Sequence, residues 1–335
     1  MIIDDRSGRD TLVRRLGGKF TMEISESPWE RNPTDFWAIT SYWNPVHYKR
    51  KYPNYRLFRE HLSVPLIAIE LAFDDNFELR KEDAEILIQL RGGDVLWQKE
   101  RLLNLALQEL PSSCRYVTWV DCDVIFEAAD WPEVTTRLLE HSPLAQLFSR
   151  VYRMPPDWRP DEQMPLDAEL LYGSPFMIGS GMPVATCMGT PASQISCGHG
   201  YVWAATRKLL EDHRLYDACV IGGTDSAIVR AAYGRFDDAL RLQPLHRDHY
   251  LAWAQPFHES VKSNVGFVDG NIFHLWHGKT EHRRYRARNE EFRRFQFNPF
   301  TDIAADPNGA WRWNSDRPEM HDYVRDYFVA RREDG

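Results

Sequence analysis

The sequence predicts an α/β protein with a central, mostly parallel sheet flanked by helices. Apolar stretches of strand length, rich in β-branched and aromatic residues, alternate along the chain with stretches whose apolar residues recur at helical spacing. Strands that alternate with helices usually pair in parallel, because each helix returns the chain to the edge where the previous strand began. With 335 residues and a hydrophobic content of 43%, the chain is large enough to bury a sizeable core.

The first half of the chain shows this alternation most clearly. The segments FWAITSYW (36–43) and VPLIAIELAF (64–73) predict strands, and HYKRKYPNYRLFREHL (47–62) between them has the apolar spacing of a helix. The segment VLWQKERLLNLALQEL (95–110) predicts an amphipathic helix, and CRYVTWVD (114–121) predicts a strand that is buried on both faces. This order of elements is typical of a parallel sheet.

The second half of the chain is less regular. Its predicted elements are a helix at 132–141, a strand at 144–149, a helix at 201–213, a helix after Gly222-Gly223, a strand at 264–278 and a helix at 318–333. The segment 179–200 contains five glycines and many other small residues, which suits a backbone that bends or moves. We interpret it either as a solvent-exposed connection or as a lid that orders over a ligand.

Composition argues against several classes of protein. The chain has 41 Lys and Arg residues against 49 Asp and Glu residues, and its net charge of −8 argues against coating of nucleic acid through bulk charge. Apolar runs such as 64–73 are too short to span a bilayer, and the charged N-terminus lacks the apolar stretch of a signal peptide. Five cysteines without a Cys-x-x-Cys pair fit neither a disulfide framework nor a structural zinc site. We therefore expect a cytoplasmic protein without a transmembrane segment and without an evident obligate protein partner.

Two carboxylates follow the strand predicted at 114–121. In the run Trp119-Val120-Asp121-Cys122-Asp123 the aspartates are two residues apart, and in a strand such residues point to the same side. Ligands of parallel α/β sheets bind at the carboxyl ends of the strands, where carboxylates hold hard divalent cations that bridge phosphates. Asp121 and Asp123 therefore indicate either a metal or nucleotide site, or a capped turn into the next helix.

Two further motifs carry groups that suit catalysis. His274 and His277 end a late predicted strand beside Gly278, which allows a sharp turn that brings both rings onto one ion. Gly222-Gly223-Thr224-Asp225 precedes a helix, where Asp225 either caps the first turn or serves as a general base. The basic segment 279–294 then supplies cations for a diphosphate, or forms a solvated helix face.

The order of these motifs resembles that of metal-dependent glycosyltransferases with the Rossmann-like GT-A fold. W-V-D-C-D at 119–123, G-H-G-Y-V-W-A at 198–204, L-Y-D-x-x-x-I-G-G-T-D at 215–225 and H-L-W-H-G at 274–278 are similar to motifs of the β-1,4-galactosyltransferases and of the C-terminal half of polypeptide N-acetylgalactosaminyltransferases. The resemblance covers about residues 36–290. It implies a peripheral N-terminal arm at 1–35, a glycosyltransferase domain at 36–300, and a C-terminal extension with a helix at 301–335. Within that domain, it implies a donor half at about 36–150 and an acceptor half at about 151–300.

The resemblance also implies roles for individual residues. Asp121 and Asp123 become the carboxylates of a D-x-D metal motif, with Asp123 the closer ligand, and His274 and His277 complete the metal site. Asp225 becomes the base on the acceptor side. Contacts to the nucleotide are expected from Thr40, Ser41, Tyr42, Lys99, Asp121, Asp123 and Lys279.

The predicted function is transfer of a hexosyl or pentosyl group from a nucleotide-diphosphate sugar, with a UDP-sugar favoured, to an acceptor hydroxyl. Mn²⁺ or Mg²⁺ would stabilise the charge of the departing diphosphate. Asp225 would accept the proton of the attacking hydroxyl, which favours inversion at the anomeric carbon, whereas the N-acetylgalactosaminyltransferase likeness keeps retention open. The acceptor stays open among a glycan, a lipopolysaccharide, a protein and, as the weakest alternative, modified DNA.

Two other functions stay open from the sequence. Sugar nucleotidyltransferases share the α/β scaffold and use carboxylate-bound Mg²⁺, but they usually carry a glycine-rich, basic loop after the first strand. This chain has Tyr42-Trp43-Asn44-Pro45 there. A non-catalytic carbohydrate-binding module would account for the twelve tryptophans but not for the ordered set of motifs.

Overall fold

Fourteen strands and twelve α-helices are found in the computed structural model, which describes residues 35–74 and 76–335. The strands are β1 (Phe36–Trp43), β2 (Leu66–Ala72), β3 (Ile86–Arg91), β4 (Tyr116–Val120), β5 (Val124–Phe126), β6 (Leu144–Gln146), β7 (Arg150–Arg153), β8 (Glu169–Gly173), β9 (Cys197–Gly198), β10 (Val202–Thr206), β11 (Val265–Phe267), β12 (Asn271–His274), β13 (Ile303–Ala305) and β14 (Trp311–Trp313). The helices are α1 (Lys51–Glu60), α2 (Lys99–Ala106), α3 (Trp131–Leu139), α4 (Ser174–Gly179), α5 (Val184–Gly189), α6 (Arg207–His213), α7 (Thr224–Ala232), α8 (Phe236–Leu242), α9 (Arg247–Val261), α10 (Tyr285–Phe292), α11 (Pro299–Asp302) and α12 (Pro318–Ala330). The arm predicted at 1–35 lies, except for its last residue, outside the described residues.

The central sheet has seven strands in the order β11-β6-β10-β4-β1-β2-β3. Strand β1 pairs in parallel with both β2 and β4, β3 runs parallel to β2, and β11 runs parallel to β6. Only β10 among the strands of this sheet is antiparallel to its neighbours. The predicted α/β class, with a central and mostly parallel sheet flanked by helices, is confirmed.

Helices cover both faces of this sheet. Ile39 of β1 packs into one hydrophobic cluster with residues of α2, α7 and α9, while its neighbour Ala38 packs into a second cluster with residues of α1 and α3. Successive residues of a strand point to opposite faces, so a strand covered on both sides needs apolar residues at nearly every position. This is why β1, β2 and β4 are recognisable as continuous apolar runs in the sequence.

A second sheet, with the strand order β5-β12-β7-β8-β9, begins directly after the central strand β4. Residues 121–123 form the link from β4 to β5, and β5 then pairs antiparallel with β12. In this pairing Val124 lies opposite His274. The register therefore places the residue before Val124 next to the end of β12.

Two predicted elements are wrong. Residues 201–213, predicted as one helix, form strand β10 and then helix α6. Strand β10 is paired on both sides, by β4 and β6, and these ladder hydrogen bonds outweigh the helical spacing of its apolar residues. The strand predicted at 264–278 is split into β11 and β12, which belong to different sheets.

The end of the chain packs against the body of the protein. Met320 and Val324 of α12 are buried in the cluster that contains α2 and α7. After this helix, the Asp334 carboxylate accepts hydrogen bonds of 3.0 Å from the backbone N–H groups of Lys49 and Arg50. The last residues are thus held beside the loop that follows β1.

None of the helices in residues 35–74 and 76–335 combines the length and the apolar character needed to cross a bilayer.

Candidate active site

A cleft of about 650 Å³ opens at the carboxyl ends of β1 and β4. Its walls come from these strand ends, from the first residues of α2 and α7, from the end of the glycine-rich segment 179–200, from α10 and from the end of the chain. The volume is in the range of sites for small molecules, and the position is the one at which parallel α/β sheets bind ligands.

Asp123, His274 and His277 converge on one side of this cleft. Within the described part of the chain they form the one group of three side chains whose possible ligand atoms all lie within 4.8 Å of one another. His274 Nε2 is 3.6 Å from Asp123 Oδ1, His277 Nε2 is 3.3 Å from Asp123 Oδ2, and the two Nε2 atoms are 3.1 Å apart. Two ligands at right angles around an ion with bonds of about 2.2 Å lie about 3.1 Å apart, so these atoms fit one face of a coordination sphere.

Strand pairing and a glycine turn create this convergence. The pairing of β5 with β12 brings Asp123 to the end of β12, where its carbonyl oxygen accepts a hydrogen bond of 2.9 Å from the backbone N–H of Leu275. The chain turns after His277 at Gly278, which has a φ of +85°. A Cβ at this position would lie 2.6 Å from the carbonyl oxygen of Arg332, so only glycine allows the chain end to approach here.

The protonation states of these groups suit a cation. Burial, with added repulsion from nearby cationic groups, lowers the pKa of His274 well below its usual range, so its ring is neutral and can offer a lone pair. Burial raises the pKa of Asp123, and its Oδ1 has no hydrogen-bond partner among the described residues. A neutral imidazole and an unpartnered buried carboxylate oxygen are the donor set that a divalent cation requires.

Glu333, from the end of the chain, stands behind His277. Its Oε1 is 3.5 Å from His277 Nδ1 and accepts a hydrogen bond of 2.6 Å from Arg331 Nε. Although burial opposes ionisation, Arg331 and His277 hold the pKa of Glu333 well below its usual range. A carboxylate that accepts a hydrogen bond from Nδ1 leaves Nε2 of the same ring directed at a metal.

Arg283 contacts the same histidine from the other side. Its Nη2 is 2.6 Å from His277 Nε2 and 3.3 Å from the His277 carbonyl oxygen. A ring nitrogen that binds a metal ion has no lone pair left for a guanidinium. The guanidinium and a metal ion therefore exclude each other at this nitrogen.

Lys99 bridges two further carboxylates in the cleft. Its Nζ is 2.6 Å from Asp121 Oδ1 and 3.3 Å from both carboxylate oxygens of Asp225. Burial opposes the charge of Lys99, but the two carboxylates raise its pKa well above the usual range, so it stays protonated. Burial raises the pKa of Asp225, the second residue of α7, and Lys99 opposes that rise.

Close backbone approach places Asp225 in the cleft. A Cβ added to Gly200 would lie 2.8 Å from Asp225 Oδ2, so the carboxylate packs directly on the backbone of the segment before β10. Any larger residue at 200 would push the carboxylate away from Lys99.

Seven of the ten residues proposed from the sequence border the cleft: Ser41, Lys99, Asp121, Asp123, Asp225, His274 and His277. Asp121 lies in the Lys99 bridge rather than in the three-residue cluster, and its predicted role as a metal ligand stays a prediction.

The other three lie elsewhere. Thr40 is fully buried in the sheet and donates a hydrogen bond of 2.7 Å to the Val120 carbonyl oxygen, and the buried Tyr42 donates one of 2.5 Å to Glu78. Lys279 is exposed and borders a separate, smaller cavity. Their predicted contacts with a nucleotide stay predictions.

Two contributions to the cleft could not be predicted from the sequence. Arg331 and Glu333 lie in a segment that showed only helical spacing, and no motif marks a residue that reaches a site from the far end of the chain. His199 was quoted only as part of a family motif. Its ring is buried beside the cleft, with Nδ1 3.0 Å from Ser174 Oγ and with no partner for Nε2 within the residues described.

The glycine-rich segment 179–200 is anchored in its middle and borders the cleft at its end. Cys187 and Met188 are fully buried, and Arg230 Nε donates a hydrogen bond of 2.8 Å to the Met188 carbonyl oxygen. Residues from Pro191 onward line the cleft. Whether this end closes over a ligand stays a prediction.

Comparison with known proteins gives distant structural likenesses. No family model and no curated protein matches the chain. Glucosyl-3-phosphoglycerate synthase from Mycobacterium tuberculosis, solved with Mn²⁺, UDP and glucosyl-3-phosphoglycerate, is 14% identical, with 85% of this chain and 90% of that chain covered and a TM-score of 0.41. A mannosyltransferase from Pyrobaculum calidifontis, solved with GDP-Man and Mn²⁺, is 12% identical, with 88% of this chain and 69% of that chain covered and a TM-score of 0.39.

A third likeness belongs to a different class of enzyme. The 4-diphosphocytidyl-2C-methyl-D-erythritol synthase from Anaerococcus prevotii is 12% identical, with 70% of this chain and 86% of that chain covered and a TM-score of 0.34. Likenesses with TM-scores this low do not indicate the activity of this chain. The activity is therefore inferred from the residues of the site.

The contact between Glu333 and His277 predicts that Glu333→Gln weakens Mn²⁺ binding. Removal of a carboxylate that orients a metal-binding histidine typically lowers metal affinity by about 10–100-fold. Titration of Mn²⁺ by electron paramagnetic resonance measures this affinity directly. Asp326→Asn, which removes the same charge from an exposed position of α12, should leave the affinity unchanged. Equal affinities for the two variants would contradict the role of Glu333.

Proposed function

We propose that this protein is a metal-dependent glycosyltransferase that moves a sugar from a nucleotide-diphosphate sugar, with a UDP-sugar favoured, to an acceptor hydroxyl. The observation that carries the proposal is that one cleft holds both the cluster of Asp123, His274 and His277 and a separate half-buried carboxylate, Asp225. A donor diphosphate requires a bound cation, and an acceptor hydroxyl requires a base, so the two groups match the two substrates.

Asp123, His274 and His277 would hold the ion, with Glu333 fixing the orientation of His277. When bound, the ion stabilises the negative charge that develops on the departing diphosphate. Two imidazole nitrogens favour Mn²⁺ over Mg²⁺, which prefers oxygen ligands. With an ion at His277 Nε2, Arg283 would be released from this contact and could offer its planar fork to a phosphate.

Asp225 would accept the proton of the acceptor hydroxyl. Its raised pKa makes it a stronger base than an ordinary aspartate, and the Lys99 ammonium keeps it ionised. A base that activates the acceptor directly supports displacement with inversion at the anomeric carbon. Asp121 shares Lys99 with Asp225, so one lysine holds both carboxylates in place.

The proposal predicts metal-dependent consumption of a nucleotide sugar. Incubation with UDP-sugars and Mn²⁺ should release UDP, and excess EDTA should stop the release. Release of pyrophosphate from a sugar phosphate and a nucleoside triphosphate would instead indicate a nucleotidyltransferase, and binding of sugar without either product would indicate a carbohydrate-binding module. Full activity in EDTA would contradict the metal site.

The metal cluster predicts the effect of Asp123→Asn. The substitution keeps the shape of the side chain but removes the charged ligand, so calorimetry should show loss of Mn²⁺-dependent UDP binding with little change in thermal unfolding. Asp157→Asn, in the loop after β7 and outside the cleft, provides a matched control. Undiminished affinity for UDP with Mn²⁺ would mean that Asp123 only caps the turn after β4.

The position of Asp225 predicts the effect of Asp225→Asn. The amide can keep a helix-capping hydrogen bond but cannot accept the proton, so transfer should fall by about 10²–10⁴-fold while the dissociation constant for UDP stays nearly fixed. Nuclear magnetic resonance of the product should show an inverted anomeric centre. Retained configuration, or transfer by the variant at the wild-type rate, would refute the base role.

A further inference from the structure

The cleft is basic although the chain as a whole is acidic. Eleven Lys and Arg residues but only six Asp and Glu residues line it, whereas the full chain has a net charge of −8. A divalent cation offsets most of the charge of a donor diphosphate, so metal and donor together leave this excess in place. A cavity with an excess of one sign attracts and holds ligands of the opposite sign.

Several of these cations are already engaged by the fold. Arg230 and Arg293 donate hydrogen bonds to backbone carbonyl oxygens, and Arg293 caps the end of α8 in this way. Arg153, Arg241 and Arg331 form ion pairs with carboxylates. These five side chains already have partners within the protein and hold its segments together. They are therefore not available to bind a ligand.

Arg288 differs from the others. Its side chain is only 4% exposed, yet within the described residues it forms no ion pair with a carboxylate, and its Nε has no hydrogen-bond partner there. Nη1 donates to the Tyr327 hydroxyl, and the guanidinium lies over the rings of Tyr285 and Tyr327 at 5.0 Å from each centroid. A buried cation without a counter-ion is costly, and an anionic ligand would remove that cost.

The free side of Arg288 faces the region of the proposed base. A Cβ added to Gly223, two residues before Asp225, would lie 3.8 Å from Arg288 Nη2. Gln243 and Asn289 border the cleft on the same side, and their side-chain oxygens also lack partners among the described residues. A guanidinium without a carboxylate partner and two amide oxygens without a hydrogen-bond donor suit a ligand that carries both a negative charge and hydroxyl groups.

We infer that the acceptor is a hydroxylated molecule with an anionic group, a phosphate or a carboxylate, which Arg288 binds beside Asp225. This inference rests on the proposed function and names the class of acceptor. Binding of the anion at Arg288 would leave a hydroxyl of the same molecule near the base, because Arg288 lies beside Gly223, two residues before Asp225, and both side chains border the cleft.

Three sugars that differ in charge test the inference. Glucose 6-phosphate, glucuronate and glucose are titrated by calorimetry into protein saturated with UDP and Mn²⁺. At least one anionic sugar should bind about tenfold or more tightly than glucose, since a charge-assisted hydrogen bond contributes that much. Comparison of the two anionic sugars distinguishes a phosphate from a carboxylate. Equal affinity of all three, or no binding of either anionic sugar, overturns the inference.

Variants at Arg288 and Arg284 show whether Arg288 causes the preference for an anionic sugar. Arg288→Gln should abolish the preference for the anionic sugar, and Arg288→Lys should keep a weaker preference if the variant retains its charge in place. Arg284→Gln is the matched control, because Arg284 is exposed and paired with Glu291. A preference that survives in Arg288→Gln overturns the assignment. If Arg288→Gln does not fold, as thermal unfolding would show, Arg288→Lys decides: a weakened preference supports the role of Arg288, and a preference equal to that of the wild type overturns it.

The same titration separates this inference from the proposed function. In Asp123→Asn without UDP or Mn²⁺, the preference for an anionic sugar should persist, because Arg288 is not part of the metal cluster. Failure of the wild-type protein to bind UDP with Mn²⁺ counts against the glycosyltransferase proposal alone. Failure of the charged sugars to bind better than glucose counts against the anionic acceptor alone.

Discussion

The antiparallel pairing of β5 with β12 is the contact on which the candidate site depends. The chain leaves the central sheet at the end of β4 and enters the second sheet after a link of three residues, so Asp123 lies at the junction of both. With Val124 opposite His274, the carboxylate meets the imidazole. A slip of one residue would turn every side chain of β12 to the other face and remove His274 from Asp123.

The acidic side chains of the cleft fall into two groups according to the groups that compensate their charge. Three half-buried carboxylates in one cleft would repel one another unless cations separate them. Lys99 serves two of them, Asp121 and Asp225, through one ammonium group. Asp123 is left facing imidazole rings, with one oxygen unpartnered among the described residues, and this difference is the reason for proposing the metal at Asp123 and the base at Asp225.

The sequence predicts those parts of the molecule in which neighbours along the chain decide the outcome. Strands β1 and β2 are apolar at nearly every position, and Asp123, His274 and Asp225 sit in short motifs. It cannot predict which face of β1 meets the cleft: Ser41 borders it whereas Thr40 is buried in the sheet, and strand parity is set by pairing with β4. Glu333 and Arg288 could not be assigned either, since their partners are brought to them only by tertiary packing.

The two sides of the cleft also differ in which arginines lack a carboxylate partner. This difference affects where each of two anionic substrates would bind. On the side of His277, Arg331 is paired with Glu333 and Arg283 contacts His277 Nε2, so a bound ion would be the main source of positive charge for an added anion there. On the side of Gly223, Arg288 forms no ion pair with a carboxylate among the described residues, and its Nε has no hydrogen-bond partner there. A diphosphate gains more from the ion than from a single guanidinium. Under the proposed function, the donor would bind at the cluster of Asp123, and Arg288 would be left for the second substrate.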